Sequence, residues 1–123
     1  MATKRFAASS GGRVLELLLA VAESGRPLTV SELTELMGLP RSTVYRYVNV
    51  LRSHGLLWSI GGGRYAVGPR AMQLARSFEE TVSLATVCRP VMERLAHETQ
   101  ETVALVVPVG ERAVCIEAVE SRQ

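Results

Sequence analysis

Apolar residues recur at helical spacing from Arg13 to Ser24, where Val14, Leu17, Leu18, Val21 and Ala22 share one stripe before Gly25 and Pro27 stop the pattern. Leu15 and Leu19 lie off that stripe, so this first helix is apolar over more than one face, as expected of an element with a second burial surface such as a dimer contact. A second helix has a well-formed start. Thr29 and Glu32 have the spacing of a capping box, Leu28 ahead of the cap can staple onto Leu33, and Leu33, Leu36 and Met37 give the expected buried stripe before Gly38 closes it. Pro40, whose fixed φ suits a first helical turn, opens a third helix that runs to Ser53 and is ended by Gly55. Two helices joined by a tight, Gly-containing turn form a helix-turn-helix. Ahead of all three, Met1 to Gly12 are small and polar without periodicity, and are expected to be a mobile arm.

The period changes after Gly55. Leu56 to Ile60 and Arg64 to Val67 are β-type runs around Gly61-Gly62-Gly63, a turn that favours residues free to take positive φ, and together they predict a hairpin. Gly68-Pro69 ends it. Ala71, Met72, Leu74, Ala75, Phe78 and Val82 restore helical spacing, and a further helix is expected from Leu84 to Thr99 with Val87, Val91, Leu95 and Met92 turned inward. Thr102 to Val109 and Ala113 to Val119 read as two strands around Gly110-Glu111-Arg112. The first of them is apolar on both faces, with Val103, Leu105, Val107 and Val109 on one side and Ala104, Val106 and Pro108 on the other. The fold class is therefore mainly α with a β-hairpin wing, a winged helix-turn-helix, followed by a linker helix and an incomplete α/β subdomain.

Charge sharpens this division. Over the 123 residues the net charge is only +2, yet ten Lys and Arg against four Glu stand through Arg76, and four Arg against eight Glu follow, so the halves carry +6 and −4. Such asymmetry suggests a polyanion-binding half joined to something else. The apolar run from Val14 to Ala22 behind Lys4, Arg5 and Arg13 has the outline of a signal peptide, but Glu16 sits inside it and the run is too short to span a bilayer. Two cysteines, Cys88 and Cys115, make no disulfide framework, so a reducing cytoplasm is the expected location and no membrane partner is expected.

On the third helix, Tyr47, Val48 and Leu51 fall within about sixty degrees of Val44, which marks the core face. Ser42, Arg46, Asn49 and Ser53 lie opposite, flanked by Tyr45 and Arg52, and no Asp or Glu occurs from Pro40 to Tyr65. Arg can take guanine O6 and N7 together, Asn can take adenine N6 and N7, and hydroxyls adapt as donor or acceptor, while a carboxylate there would face phosphates. The expected DNA-binding set is Arg41, Ser42, Thr43, Tyr45, Arg46, Asn49 and Arg52, with Arg64 at the hairpin tip reaching phosphate or minor groove. Trp58 and Tyr65 are expected to pack the hairpin core.

The stretches Leu28-Thr29-Val30-Ser31-Glu32-Leu33 and Gly38-Leu39-Pro40-Arg41-Ser42-Thr43-Val44-Tyr45-Arg46, followed by Gly63-Arg64-Tyr65 and Val67-Gly68-Pro69, closely resemble the IclR family of bacterial transcriptional regulators. The resemblance continues through Arg89-Pro90, Glu98-Thr99, Glu101-Thr102-Val103 and Glu117-Ala118-Val119-Glu120-Ser121. It implies a flexible arm over 1–12, a winged helix-turn-helix DNA-binding domain over 13–68, a linker helix over 69–82 and the N-terminal part of an effector-binding α/β domain over 83–123. It further implies sequence-specific binding of a double-stranded, pseudo-palindromic operator by a homodimer or tetramer joined through helix one and the linker helix. The resemblance also implies that small metabolites, often carboxylic or aromatic acids, bind the C-terminal domain as effectors. Because the chain stops where that domain has barely begun, it is expected to be either a fragment or a shortened regulator, with a small-molecule effector possible only in a longer chain.

Two rival readings stand beside this one. An enzyme or zinc site would have to use Cys88 or Cys115 with His54 or His97, but no Cys-x-x-Cys or His-x-x-x-His pair exists, so neither catalysis, cofactor nor metal is expected. A winged helix serving as a protein-interaction module without specific DNA recognition is the more serious alternative, since fold does not fix function. The basic, carboxylate-free outer face of the third helix favours DNA over that alternative.

Overall fold

The structure, a computed structural model, describes residues 9–122, so Met1 to Ala8 of the arm expected over 1–12 lie outside the described residues. Helix α1 (Ser10–Ser24) starts earlier than the periodicity predicts. The Ser9 side chain accepts from the Gly12 amide at 3.0 Å, which satisfies a first-turn donor and lets Ser10, Gly11 and Gly12 join the helix rather than the arm. Leu17 and Val21 are buried with Val14 and Leu18 packed beside them, whereas Ala22, expected on the same stripe, is exposed.

Strand β1 (Leu28–Thr29) leads directly into α2 (Val30–Met37). The capping box forms in full: the Thr29 hydroxyl accepts from the Glu32 amide at 3.1 Å, and Glu32 Oε1 accepts from the Thr29 amide at 3.3 Å. Its stapling pair, Leu28 and Leu33, is buried. Leu36 is a correction: it is 64% exposed, and the buried face is Val30 and Leu33 with Met37 packed beside them. Helix α3 (Arg41–Ser53) follows, with Pro40 just ahead of its first turn rather than within it. Strands β2 (Leu57–Ser59) and β3 (Arg64–Val67) form the expected hairpin.

The three strands make an antiparallel sheet in the order β1-β3-β2, with Leu28 opposite Tyr65 and Thr29 opposite Arg64. Strand β1 has no sequence signature of its own, because two residues carry no period. It arises because a helix N-cap must be extended, and Thr29 at φ −83°, ψ 162° continues Leu28 alongside β3. One cluster joins these elements: Leu17, Val21, Leu28, Val30, Leu33, Val44, Tyr47, Val48, Leu51, Leu57 and Tyr65. Each large aliphatic side chain buried in it stabilises the fold by about 1.5–3 kcal/mol in transfer free energy.

The chain divides into two compact units between Leu74 and Ala75, inside helix α4 (Arg70–Val82). The second unit contains helix α5 (Leu84–Thr99) and an antiparallel pair, β4 (Val103–Val109) and β5 (Arg112–Val119), with a register shift between Leu105 and Val106. Helix α5 packs on both strands through Met92 and Ala96, its two buried residues. The expected inward stripe is corrected here: Val87, Val91 and Leu95 are 71%, 55% and 44% exposed, because the face one position further round meets the sheet. Val103, Leu105 and Val107 are half-buried, while Ala104, Val106, Pro108 and also Val109 are exposed, so the doubly apolar strand is covered on one side. No helix among the described residues is long and apolar enough to cross a membrane.

Candidate nucleic-acid interface

Helix α3 turns Val44, Tyr47, Val48 and Leu51 into the core, each at most 5% exposed. That fixes the opposite face. Arg41, Ser42, Tyr45, Arg46, Asn49 and Arg52 are all exposed on it, and Thr43 is half-buried at its margin. The Ser53 hydroxyl, also on the outer side, donates to the Val50 carbonyl at 2.7 Å, so its donor is already engaged within the helix. Asp and Glu are absent from Leu36 through Phe78, a longer carboxylate-free run than α3 and the hairpin alone require. The polar groups that a polyanion meets on this face of α3 are guanidinium, hydroxyl, amide and phenol, with no carboxylate.

Three arginines of α3 lie over tyrosine rings. The guanidinium of Arg41 is 5.9 Å from the Tyr45 centroid, that of Arg46 is 5.5 Å from Tyr47, and that of Arg52 is 5.6 Å from Tyr65. Such contacts restrain long side chains, so less rotamer freedom is lost when they engage a ligand. The Arg52 contact also spans from α3 to the sheet, since Tyr65 lies in β3 with its ring in the core.

The hairpin tip is built by Gly61, Gly62 and Gly63, all at positive φ (91°, 65° and 67°). Ile60 donates to the Arg64 carbonyl at 3.1 Å and Arg64 to the Gly61 carbonyl at 3.2 Å, which closes the turn and leaves the Arg64 side chain exposed. Of the two aromatic residues expected to pack the hairpin, Tyr65 does so, but Trp58 is 56% exposed. Alternation explains it: Leu57 and Tyr65 face the helices, which turns Trp58 and its partner Ala66 to the other side.

Gly55 ends α3 after Ser53 as expected, but the bonds made there have no sequence signature. Leu56 donates to the Leu51 carbonyl at 2.9 Å and Gly55, at φ 72°, donates to the Arg52 carbonyl at 3.0 Å, the two bonds of a Schellman cap. The His54 and Gly55 carbonyls are taken by one residue. The Arg70 amide donates to Gly55 at 3.0 Å and Arg70 Nε donates to the His54 carbonyl at 3.2 Å. His54 itself is exposed. No group of three His, Cys, Asp or Glu side chains able to hold a metal occurs among the described residues.

Residues 12–58 match the IclR helix-turn-helix domain. The chain is 32% identical over 114 residues to the acetate operon repressor of Salmonella typhimurium, a match covering 90% of this chain and 42% of that protein. It is 32% identical over 96 residues to the HTH-type transcriptional regulator KipR of Bacillus subtilis, covering 78% of this chain and 38% of the relative. The crystal structure of an IclR family transcriptional regulator from Brucella abortus superposes with a TM-score of 0.70 at 25% identity, covering 91% of this chain and 43% of that one. The chain thus spans about two fifths of the length of the relatives it matches. A capped α2, a core-anchored α3 and a glycine-turned wing coincide with that match, so the chain carries a helix-turn-helix domain of the IclR type and is similar along most of its length to IclR-family transcriptional regulators.

Proposed function

We propose that the chain binds double-stranded operator DNA sequence-specifically and controls transcription by occupying it, acting as a regulator and not as an enzyme. The observation that carries this reading is the outer face of α3, where Ser42, Tyr45, Arg46 and Asn49 are exposed together, inside a stretch of chain without a single carboxylate. In this reading α3 enters the major groove; Ser42, Thr43, Tyr45, Arg46 and Asn49 read base edges; Arg41, Arg52 and Arg64 engage the backbone. The relatives named above are transcriptional regulators, one of them a repressor, which supports regulation over a docking role.

The active species is a homodimer or a tetramer, with α1 and α4 as its contact. Leu15 and Leu19 on α1 are 58% and 55% exposed, and Met72 and Phe78 on α4 are 61% and 44% exposed, a surplus of apolar surface that association would cover. Two-fold symmetry then requires half-sites about one helical turn apart, or a multiple of it. No effector is assigned to the second unit, although α5 and the end of β5 line an open concavity of about 500 Å³ with Arg89, Glu93, His97 and Ser121.

Selection of bound sequences from random duplex DNA tests the reading. The expected product is a pseudo-palindromic site whose binding weakens steeply with salt. Recovery of no enriched sequence, with affinity indifferent to salt, overturns it.

A further inference from the structure

We infer that Arg70 is a positioning residue that locks the C-terminal end of the recognition helix to the first turn of α4, and so sets the operator spacing a dimer accepts. This rests on the DNA-binding reading above. The lock begins in the backbone. Gly68 passes so close to Gly55 that a Cβ on Gly68 would stand 2.3 Å from the Gly55 carbonyl oxygen, and the Gly68 amide donates to Leu56 at 2.8 Å. That close approach carries the following residues over the end of α3. Arg70 then donates its amide to Gly55 and its Nε to His54, while its Nη1 donates to the Gln73 side chain at 2.9 Å within α4.

The chemistry suits the place. The Schellman bonds leave the His54 and Gly55 carbonyls unsatisfied by the helix, and the C-terminal end of a helix carries partial negative charge. A guanidinium there answers both needs, and its fork lets one side chain hold α3 through Nε and α4 through Nη1 at once. The first turn of α4 is therefore tied to the end of α3. In a dimer joined through α1 and α4, that tie sets the distance between two recognition helices, and hence the permitted separation of half-sites. Arg70 touches no base in this account.

The experiment uses the full chain and the site it selects from random duplex DNA, remade with spacers lengthened or shortened by one and two base pairs, together with a single half-site duplex. The unsubstituted chain is expected to prefer one spacing by about tenfold or more, and Arg70→Ala to flatten that preference to about threefold or less with single half-site affinity and salt slope unchanged. Arg70→Lys keeps a cation at the helix end without the fork and is expected to flatten it as well; it also serves as the test if Arg70→Ala does not fold. An unchanged spacing preference in both variants overturns the inference. So does a loss of single half-site affinity with a salt slope reduced by about one, which makes Arg70 a phosphate contact. Failure of the unsubstituted chain to bind any duplex is a different outcome and overturns the functional reading itself.

Discussion

The two units of this chain are built from similar elements and reach different degrees of burial. In the first, three helices and a three-stranded sheet enclose one cluster of eleven buried hydrophobic residues, five of them at 1% exposure or less. In the second, α5 covers one side of a two-stranded sheet with only Met92 and Ala96 buried. Burial against neighbours from several directions is what makes a core, and a single helix on a single hairpin supplies one direction only. The winged helix is thereby equipped to hold a recognition surface rigidly, whereas the second unit still presents Val87, Val91 and Leu95 on its helix and Val106 and Val109 on its strand. Stability and DNA recognition should accordingly reside in the first unit.

The most severe way to probe that contrast is a cavity in each unit. Leu33→Ala, at a fully buried position, is expected to destabilise the winged helix by about 2–5 kcal/mol, a large part of the 5–15 kcal/mol a domain commonly has, and to abolish DNA binding near physiological temperature. Met92→Ala should leave the unfolding midpoint of the winged helix within about 0.5 kcal/mol of the unsubstituted chain and DNA affinity untouched. Denaturant melts followed separately by Trp58 fluorescence, which reports the first unit, and by amide exchange in α5 distinguish the two. One cooperative transition moved equally by both substitutions would erase the distinction between the units.

How far the sequence anticipates each unit follows the same division. The capping box at Thr29, the α3 core face and the glycine-turned hairpin were legible because each is a local rule with a fixed spacing, and in the winged helix local rules agree with the tertiary packing. The outward face of α3 was legible as the complement of its core face. Leu36 and the stripe Val87, Val91 and Leu95 misled the reading because periodicity marks an apolar band without saying which edge of it meets a neighbour. Trp58 misled it because aromatic character suggests burial, while strand alternation, anchored by Leu57, sends it outward. Strand β1 and the Arg70 bond to His54 were invisible for another reason. The strand is two residues long, and the bond joins residues sixteen apart whose proximity comes from folding alone.

Within the first unit, recognition can be separated from adhesion. Arg46 stands mid-face on α3 and Arg64 at the wing tip, so their losses should differ in kind. Arg46→Ala is expected to cost about 1–3 kcal/mol on the preferred site and to relax preference at one base position, while Arg64→Ala weakens all sequences about equally and lowers the salt slope by about one. Competition binding of each variant against a panel of single-base operator variants, at two salt concentrations, reads both effects. An Arg46→Ala chain with unchanged sequence preference would remove α3 from the role of reader.

The smallest expected effect lies at the N-terminus of α2, where the winged helix carries its one resolved perturbation of a carboxyl group among the described residues. The Arg26 side chain donates to Glu32, and the Thr29 amide donates to the same carboxylate, so the Glu32 pKa lies below the usual glutamate value, with Arg26 the larger cause. A carboxyl group lowered in this way stabilises the fold fully above its unfolded-state pKa, and that contribution fades as pH falls through the lower, folded-state value. Both side chains are substantially solvent-accessible, so the ion pair is screened and the effect is modest. Thr29→Ala removes the hydroxyl that caps the Glu32 amide and should cost about 1 kcal/mol at neutral pH, a loss that largely persists into acid because the amide cap does not titrate there and only the hydroxyl's minor bond to the Glu32 carboxylate fades. Glu32→Gln should cost less, and its deficit relative to the unsubstituted chain should shrink steadily on acidification and diminish in high salt. Melts of the three chains from neutral to acidic pH check this. A Glu32→Gln deficit that stays constant with pH would assign the contribution of Glu32 to its capping geometry and not to its charge, and α2 would then be held at its start by hydrogen bonds alone.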